Sequence, residues 1–298
     1  MEGIILYETP ELHRPCLVAG FSGWGNAAEV STGVVTYLKT KLEACKFARI
    51  NPEEFYDFSI LRPLVTIEAG FIKGVEFVDC ELFYWRGGSA CDLVLLIGAE
   101  PHLKWQRFGQ LILDMAQKVG VSRVYAIGGI YDAAPHTAEP RVSGFVNDDR
   151  LLTELVAHGI EPANYIGPVS FHGPLLDMCR ERNIEAISLW GRAPHYIPVH
   201  NPKVIAAVVS RLARMLEIDI DITDLREAAQ GVDRRVQLAI SQNPKLEEYI
   251  KTLEESYQQM GDQGIPPAEG INEIISAVED LLRGHKRDEG QGAEDDTL

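Results

Sequence analysis

Histidine, glutamate and aromatic side chains recur in five short segments: GFSGWGNAAE (20–29), GAEPHLKW (98–105), GGIYDAAPHT (128–137), GPVSFHG (167–173) and WGRAPHY (190–196). Histidines with carboxylates can act in acid–base catalysis or bind Zn²⁺, and clustered aromatic side chains line small-molecule pockets or protein-binding surfaces. The candidate pocket residues are Gly23, Trp24, Gly25, Asn26, Glu29, Glu100, His102, Trp105, His136, Thr137, His172, Trp190, His195 and Tyr196.

Each chemical interpretation has a simpler structural alternative. Gly20, Gly23 and Gly25 can surround an anion before a helix, but no Lys follows, and a tight turn is the simpler interpretation. Glu29 and Glu100 can form an acid–base pair, whereas Glu29 also suits the first turn of a helix. The aromatic residues can equally cap the end of a sheet.

The four loop histidines come from separate segments, without an HxxxH or HExxH pair to anchor a metal. We therefore predict no metal and no cofactor, and the sequence assigns no catalytic residue. Hydrogen bonding between neighbouring turns is the alternative role for these histidines.

The elements that must position these segments alternate between strands and amphipathic helices. Strands are predicted at 15–21, 92–97, 123–127 and 185–190, and helices at 26–42, 103–119 and 202–216. Residues 66–84 suggest a hairpin or an antiparallel edge. This alternation predicts an α/β fold with a mostly parallel sheet, whose strands carry the five segments at their carboxyl ends, where ligands usually bind.

Composition changes after residue 222. We predict an α/β core domain at 1–222, a helical extension at 223–283 and a disordered acidic tail at 284–298. Two helices, at 223–240 and 244–260, begin the extension, and a linker at 261–270 leads to a short helix at 271–282. The apolar stripe of the 244–260 helix suits packing on the core or a subunit interface equally well.

The charge balance limits the class of partner. Lys and Arg total 28 against 44 Asp and Glu, a net charge of −16, which disfavours nucleic acid and anionic membranes. The five cysteines form no CxxC pattern. No apolar run is long enough to span a membrane and the amino terminus does not resemble a signal peptide, so we expect a cytoplasmic protein.

The ordered set GFSGWGNAAE, YDF…RP, LLIGAEPHLKW, GG…PHT, YIGPVSF and LWGRAPHY resembles the proteasome assembly chaperone 2 family of archaea and bacteria. The resemblance extends from about Leu17 to Tyr257. It implies a three-layer α/β/α core of phosphorylase/hydrolase-like type, a carboxy-terminal helical extension and a ring-type homo-oligomer, often a trimer.

The resemblance also implies a protein-binding assembly factor, with proteasome subunits or another protein as partner. Two departures from the family's descriptions stand out. The sequence ends Asp296-Thr297-Leu298, not in the hydrophobic–Tyr–any tripeptide by which such chaperones dock, and it has none of the motifs expected of an ATP-grasp enzyme. The alternative function is an enzyme, or a protein that binds a phosphate- or nucleotide-like molecule in the cleft at the strand ends.

Overall fold

Apolar strands that are buried on both faces form the centre of the fold. The computed structural model of the chain describes residues 3–87 and 90–260. Its strands are β1 Ile4–Leu6, β2 Cys16–Ser22, β3 Cys45–Ile50, β4 Leu64–Glu68, β5 Phe71–Glu76, β6 Cys80–Trp85, β7 Leu93–Ala99, β8 Arg123–Asp132, β9 Val142–Val146, β10 Glu161–Pro162 and β11 Glu185–Pro194. Its helices are α1 Val30–Lys41, α2 Trp105–Lys118, α3 Leu152–Ala157, α4 His172–Glu181, α5 Pro202–Leu216, α6 Thr223–Ser241 and α7 Pro244–Met260.

Nine strands form one sheet in the order β1-β3-β6-β7-β2-β8-β11-β9-β10. The central strands β7, β2, β8 and β11 run parallel to one another, and β6 and β9 flank them as antiparallel neighbours. The uninterrupted apolar sequence of β7 suits this position, because a central parallel strand is covered on both faces. The predicted parallel core is therefore confirmed.

Helices cover both faces of the sheet, which confirms the three-layer α/β/α architecture. On one face, α2 and α4 bury a stripe that includes Phe108, Ile112 and Leu175. On the other face, α1, α3 and α5 enclose a second cluster that includes Val34 and Val208. The 3.6-residue spacing of apolar residues predicted α1, α2 and α5 from the sequence, whereas α3 and α4 were not predicted.

Helix α1 and the short turn Ala27–Glu29 that leads into it approach the sheet more closely than a side chain would allow. A Cβ atom added at Gly20 would lie 2.5 Å from the Ser31 carbonyl oxygen, and one at Gly129 would lie 2.5 Å from the Ala27 carbonyl oxygen. The fully buried Ser31 hydroxyl accepts a hydrogen bond from the Phe21 N–H at 2.8 Å and donates one to the Ile127 carbonyl. One helix side chain thus joins β2 and β8.

The helices that follow the α/β part pack back onto it. α6 lies against α5, and the stripe of α7 joins a third buried cluster with Tyr196 and Ile197. Leu246, Ile250 and Leu253 are buried there, so intramolecular packing explains these positions of the stripe. The division into 1–222, 223–283 and 284–298 remains a prediction.

The segment 66–84 contains the suggested hairpin, but its last strand lies inside the main sheet and not at an edge. β4 and β5 form a separate antiparallel hairpin, and β6 joins the main sheet antiparallel to β3 and β7. The linker, short helix and acidic tail predicted after residue 260 lie outside the described residues. Among residues 3–87 and 90–260, no helix is long and apolar enough to cross a membrane.

We expect Gly20→Ala to lower the free energy of unfolding by about 3 kcal/mol, because the added methyl group meets a helix backbone that cannot retreat. Gly231→Ala is the matched control. It lies within α6 with open space around it, so the substitution should raise stability by up to about 1 kcal/mol. Urea unfolding measures both. Equal stabilities of the two variants would contradict the close approach of α1.

Candidate functional site

The carboxyl ends of β2, β7 and β11 bring several of the candidate residues together. The Glu100 N–H donates to the Ser22 carbonyl oxygen at 2.9 Å, and the Glu100 carboxylate accepts a hydrogen bond from the Phe171 N–H at 2.6 Å. Gly23, at φ +112°, lies so close that an added Cβ atom would be 3.2 Å from the Glu100 Cβ. Glu100 therefore ties three segments together at the amino terminus of α4, where a negative charge is favourable.

Trp190 and His172 complete this group through a shared serine. The Trp190 Nε1–H donates to the Ser188 Oγ at 2.8 Å, and the His172 Nδ1 lies 3.2 Å from the same oxygen. The two rings are 5.0 Å apart. Trp190 packs directly over Gly128 and Gly25, where added Cβ atoms would approach its ring to 2.6 and 3.1 Å. The glycines of these segments thus make room for an indole ring.

His172 is buried at 2% exposure, and the loss of solvation lowers its pKa to about 3. The imidazole is therefore neutral at physiological pH and unsuited to deliver a proton in that range. The Ser188 hydroxyl accepts from Trp190 and can donate to the imidazole, which satisfies both groups inside the core. This pairing indicates a structural role.

The remaining aromatic candidates at this edge differ in exposure. The Trp105 Nε1–H donates to the Pro101 carbonyl at 2.6 Å, and its ring meets the edge of the buried Phe171 ring at 5.7 Å. Trp24, in contrast, leaves 61% of its surface exposed. Trp105 therefore caps the end of the sheet, whereas Trp24 faces solvent.

Asn26 and Glu29 stand at the entry to α1. The Asn26 Oδ1 accepts a hydrogen bond from the Thr32 N–H at 3.1 Å, which satisfies a free N–H in the first turn of α1. The Glu29 carboxylate lies 3.3 Å from the His200 Nδ1, with both side chains largely exposed. Glu29 and Glu100 thus have separate partners.

His102 lies in a different environment from the other candidates. Its Nδ1 accepts a hydrogen bond from the Asp57 N–H at 3.0 Å, and its ring meets the edge of Tyr56 at 6.0 Å. The backbone N–H groups of His102 and Leu103 both donate to the Phe55 carbonyl. His102 fastens the segment after β3 to the end of β7.

A second group of candidate residues lies where α6 and α7 pack on the core. The Tyr196 hydroxyl accepts a hydrogen bond from the His136 N–H at 2.6 Å and lies 2.9 Å from the His136 Nδ1. Burial lowers the pKa of His136. The Thr137 hydroxyl donates to the Glu254 carboxylate at 2.6 Å. These residues dock α7 onto the core.

His195 has both ring nitrogens engaged. Its Nδ1 lies 2.9 Å from the Asp132 carbonyl, an acceptor, so this nitrogen carries the proton. The Nε2 atom then accepts a hydrogen bond from the Tyr249 hydroxyl of α7 at 2.9 Å. The candidates His136, Thr137, His195 and Tyr196 are thereby separated in function from the group around Glu100.

The space available for a ligand beside the second group is small. The recess lined by His136, Lys203 and Asp233 holds about 10 Å³, room for about one water molecule. Among the residues that the structure describes, no three His, Cys, Asp or Glu side chains are arranged to hold a metal ion.

Sequence reasoning missed the two serines that organise these loops. Ser31 and Ser188 are fully buried and bridge other elements through their hydroxyl groups. The sequence feature that could have identified them is a single hydroxyl residue within an otherwise apolar helix stripe or strand. It also missed the exposed apolar residues Tyr165, Ile166 and Val169, which follow β10 in a loop.

We expect Glu100→Ala to lower the free energy of unfolding by about 2 kcal/mol, because it leaves the Phe171 N–H without its acceptor at a helix start. Glu29→Ala removes an exposed contact with His200 and should change stability by less than about 0.5 kcal/mol. Urea unfolding compares the two. A negligible effect of Glu100→Ala would show that its carboxylate does not hold the loops together.

Stability should depend on pH through His172. Its pKa is about 3 in the folded protein against 6.5 without burial, so the unfolded chain binds the proton first as pH falls. The free energy of unfolding should therefore decrease below pH 6.5, by at most about 1.4 kcal/mol per pH unit from this group. His172→Asn keeps a polar partner for Ser188 but does not titrate. Its free energy of unfolding, measured in urea, should therefore change less between pH 7 and pH 5 than that of the unmodified chain. Parallel profiles would contradict a buried neutral imidazole.

The fold is shared with proteins of known structure. A PAC2 family protein from Streptomyces avermitilis is 31% identical, with a TM-score of 0.70 over 79% of this chain and 99% of that one. A proteasome-assembly chaperone homologue from Mycobacterium tuberculosis is 27% identical, with a TM-score of 0.72 and the same coverage, 79% and 99%. PbaB of Pyrococcus furiosus, an archaeal proteasome activator, is 24% identical with a TM-score of 0.64 over 78% and 96%, and shows a shared fold.

None of the curated proteins matches this chain. The family model described as the PAC2 family matches residues 20–240, which include all five loop segments. With this match and the 31% identical relative, the sequence resemblance is confirmed. The chain belongs to the PAC2 family.

Proposed function

We propose that this protein is a chaperone-like assembly factor that binds other proteins and acts as a homo-oligomer in the cytoplasm. The observation that carries the proposal is an exposed apolar surface on the loops at the carboxyl edge of the sheet. We name Trp24, Tyr165, Ile166 and Val169 the edge patch; all four side chains are more than half exposed.

The edge patch is built from two loops that touch. An added Cβ atom at Gly25 would lie 3.6 Å from the Ser170 Cβ, so the residues beside Trp24 and Val169 are in contact. The Tyr165 hydroxyl donates to the Pro168 carbonyl at 2.8 Å and fixes the turn between them. Ile166, within that turn, is fully exposed.

Such a surface suits a protein partner. A large aromatic and three further apolar side chains are costly to leave in water, and contiguous exposed apolar groups mark interaction sites. The polar groups behind them are already paired: Glu100 with the Phe171 N–H, and His172 and Trp190 with Ser188. The edge therefore offers area for contact and few free groups for chemistry.

The class of partner comes from the relatives. The Mycobacterium tuberculosis protein named as a proteasome-assembly chaperone homologue is 27% identical over nearly its whole length. This supports proteasome subunits as the first partners to test. A ring of identical subunits, with three as the expected number, is the assembly we propose for the chain itself.

Native mass spectrometry of untagged protein, purified gently from its own host, tests the proposal directly. We expect several copies of the chain in complex with proteasome subunits, or with another protein, in a fixed ratio. A chain that carries a stoichiometric small molecule and no protein partner would overturn the proposal.

We expect Ile166→Asp to weaken binding to purified proteasome subunits at least about tenfold, because it places a charge within the apolar contact. Its melting temperature should stay unchanged, since the side chain touches solvent. Leu238→Asp, at an exposed position of α6, is the matched control and should bind as the unmodified chain does. Equal binding by both variants would exclude the edge patch as the contact.

A further inference from the structure

The hairpin formed by β4 and β5 stands apart from the main sheet. It makes its own two-stranded sheet, closed by the two-residue turn Ala69-Gly70, in which both residues have positive φ. Such a turn matches the twist of antiparallel strands and gives the hairpin a defined register. The segment is thus a structured hairpin that lies outside the main sheet.

The register sorts the hairpin's side chains into two different faces. Val65 opposes Val75 and Ile67 opposes Ile72, and the irregularity beside Thr66 keeps these pairs on one side. We name Val65, Ile67, Ile72 and Val75 the aliphatic face. The opposite side carries Leu64, Thr66, Glu68, Phe71 and Glu76, so its character is mixed.

Nothing among residues 3–87 and 90–260 covers the aliphatic face. Its residues are between 50% exposed at Val75 and 69% exposed at Ile72, and none belongs to the three buried clusters of the described chain. The hairpin is anchored at its base, where the Phe77 ring meets the edge of Phe58 at 5.1 Å.

This exposure is of the size that marks interaction sites on protein surfaces. A two-stranded hairpin alone is at best marginally stable in water, and a third strand or a packed helix is needed to hold it. The four side chains of the aliphatic face present on the order of 400 Å² of apolar surface.

We infer that the aliphatic face is the surface through which a second copy of this chain binds. The inference rests on the homo-oligomer proposed above and names the element that forms it. It is separate from the edge patch, which we assign to other proteins.

The composition of the face favours a permanent identical partner. It consists of aliphatic β-branched residues with no charge, aromatic ring or arginine, and obligate interfaces are the more hydrophobic class. Partners that bind and dissociate are usually held through Trp, Tyr or Arg side chains. The edge patch has such a side chain in Trp24, and the aliphatic face has none. Each copy carries a net charge of −16, so copies associate most easily where their contact holds no like charges.

The experiment compares Ile67→Asp with Thr66→Asp in the full-length chain. These neighbours are both β-branched and exposed but lie on opposite faces of β4. We expect Ile67→Asp to raise the dissociation constant of the oligomer at least about a hundredfold in analytical ultracentrifugation. Thr66→Asp should stay assembled.

Amide hydrogen exchange of the unmodified chain supplies a second measurement that needs no variant. Residues 64–76 should be protected when the chain is concentrated and should lose protection on dilution, as the copies separate. This result would support the inference even if the Ile67→Asp variant failed to fold.

Three outcomes would overturn the inference. An intact oligomer of Ile67→Asp would reject the hairpin and leave the proposed homo-oligomer standing. A chain that is monomeric at all concentrations would reject both. A monomer whose hairpin is protected at every dilution would show that residues 261–298 of the same chain cover the face. Binding to proteasome subunits through Ile166 is measured separately, so the partner proposal stands or fails independently.

Discussion

The first turn of α1 lies directly on the backbone of two central strands, and the rest of the edge depends on this contact. Gly20 and Gly129 leave no side chain between helix and sheet, and the Ser31 hydroxyl takes up an N–H from β2 and a carbonyl from β8. Because α1 is held there, the loop from Ser22 to Glu29 must cross the strand ends. It thereby meets Glu100 at Gly23 and Trp190 at Gly25.

That crossing explains why residues with catalytic potential have structural roles. A loop packed over strand ends buries backbone and side-chain polar groups, and each buried group needs a partner. Glu100 satisfies an N–H at the start of α4, and Ser188 satisfies Trp190 and His172 together. The pKa of His172 is lowered by burial, which suits a neutral hydrogen-bonding group and not a proton donor near pH 7. The hydrogen bonds of Glu100 and Ser188 hold these loops in place, and the part of the loops that reaches solvent is the apolar edge patch.

The sequence was sufficient for features that depend on local pattern. The apolar run of β7 and the helical stripe of α2 identify a central strand and its covering helix, and Asn243-Pro244 marks the break between α6 and α7. The sequence could not predict which partner each loop histidine has in the folded protein. His172 and His195 follow similar loops, yet one pairs with a serine and the other with a tyrosine of α7, fifty-four residues away in sequence. Such pairings depend on tertiary contacts that spacing does not encode.

The two uncovered apolar surfaces differ in a way that separates their roles. The aliphatic face has paired β-branched residues in a fixed strand register and no group that could discriminate between partners by hydrogen bonding. The edge patch lies on loops, combines an indole with a tyrosine, and is supported by a hydrogen bond within its own turn. A register-matched aliphatic surface suits a partner that is always present at the same concentration, namely the chain itself. A loop surface with an aromatic anchor suits recognition of a different protein and its later release, which an assembly factor requires.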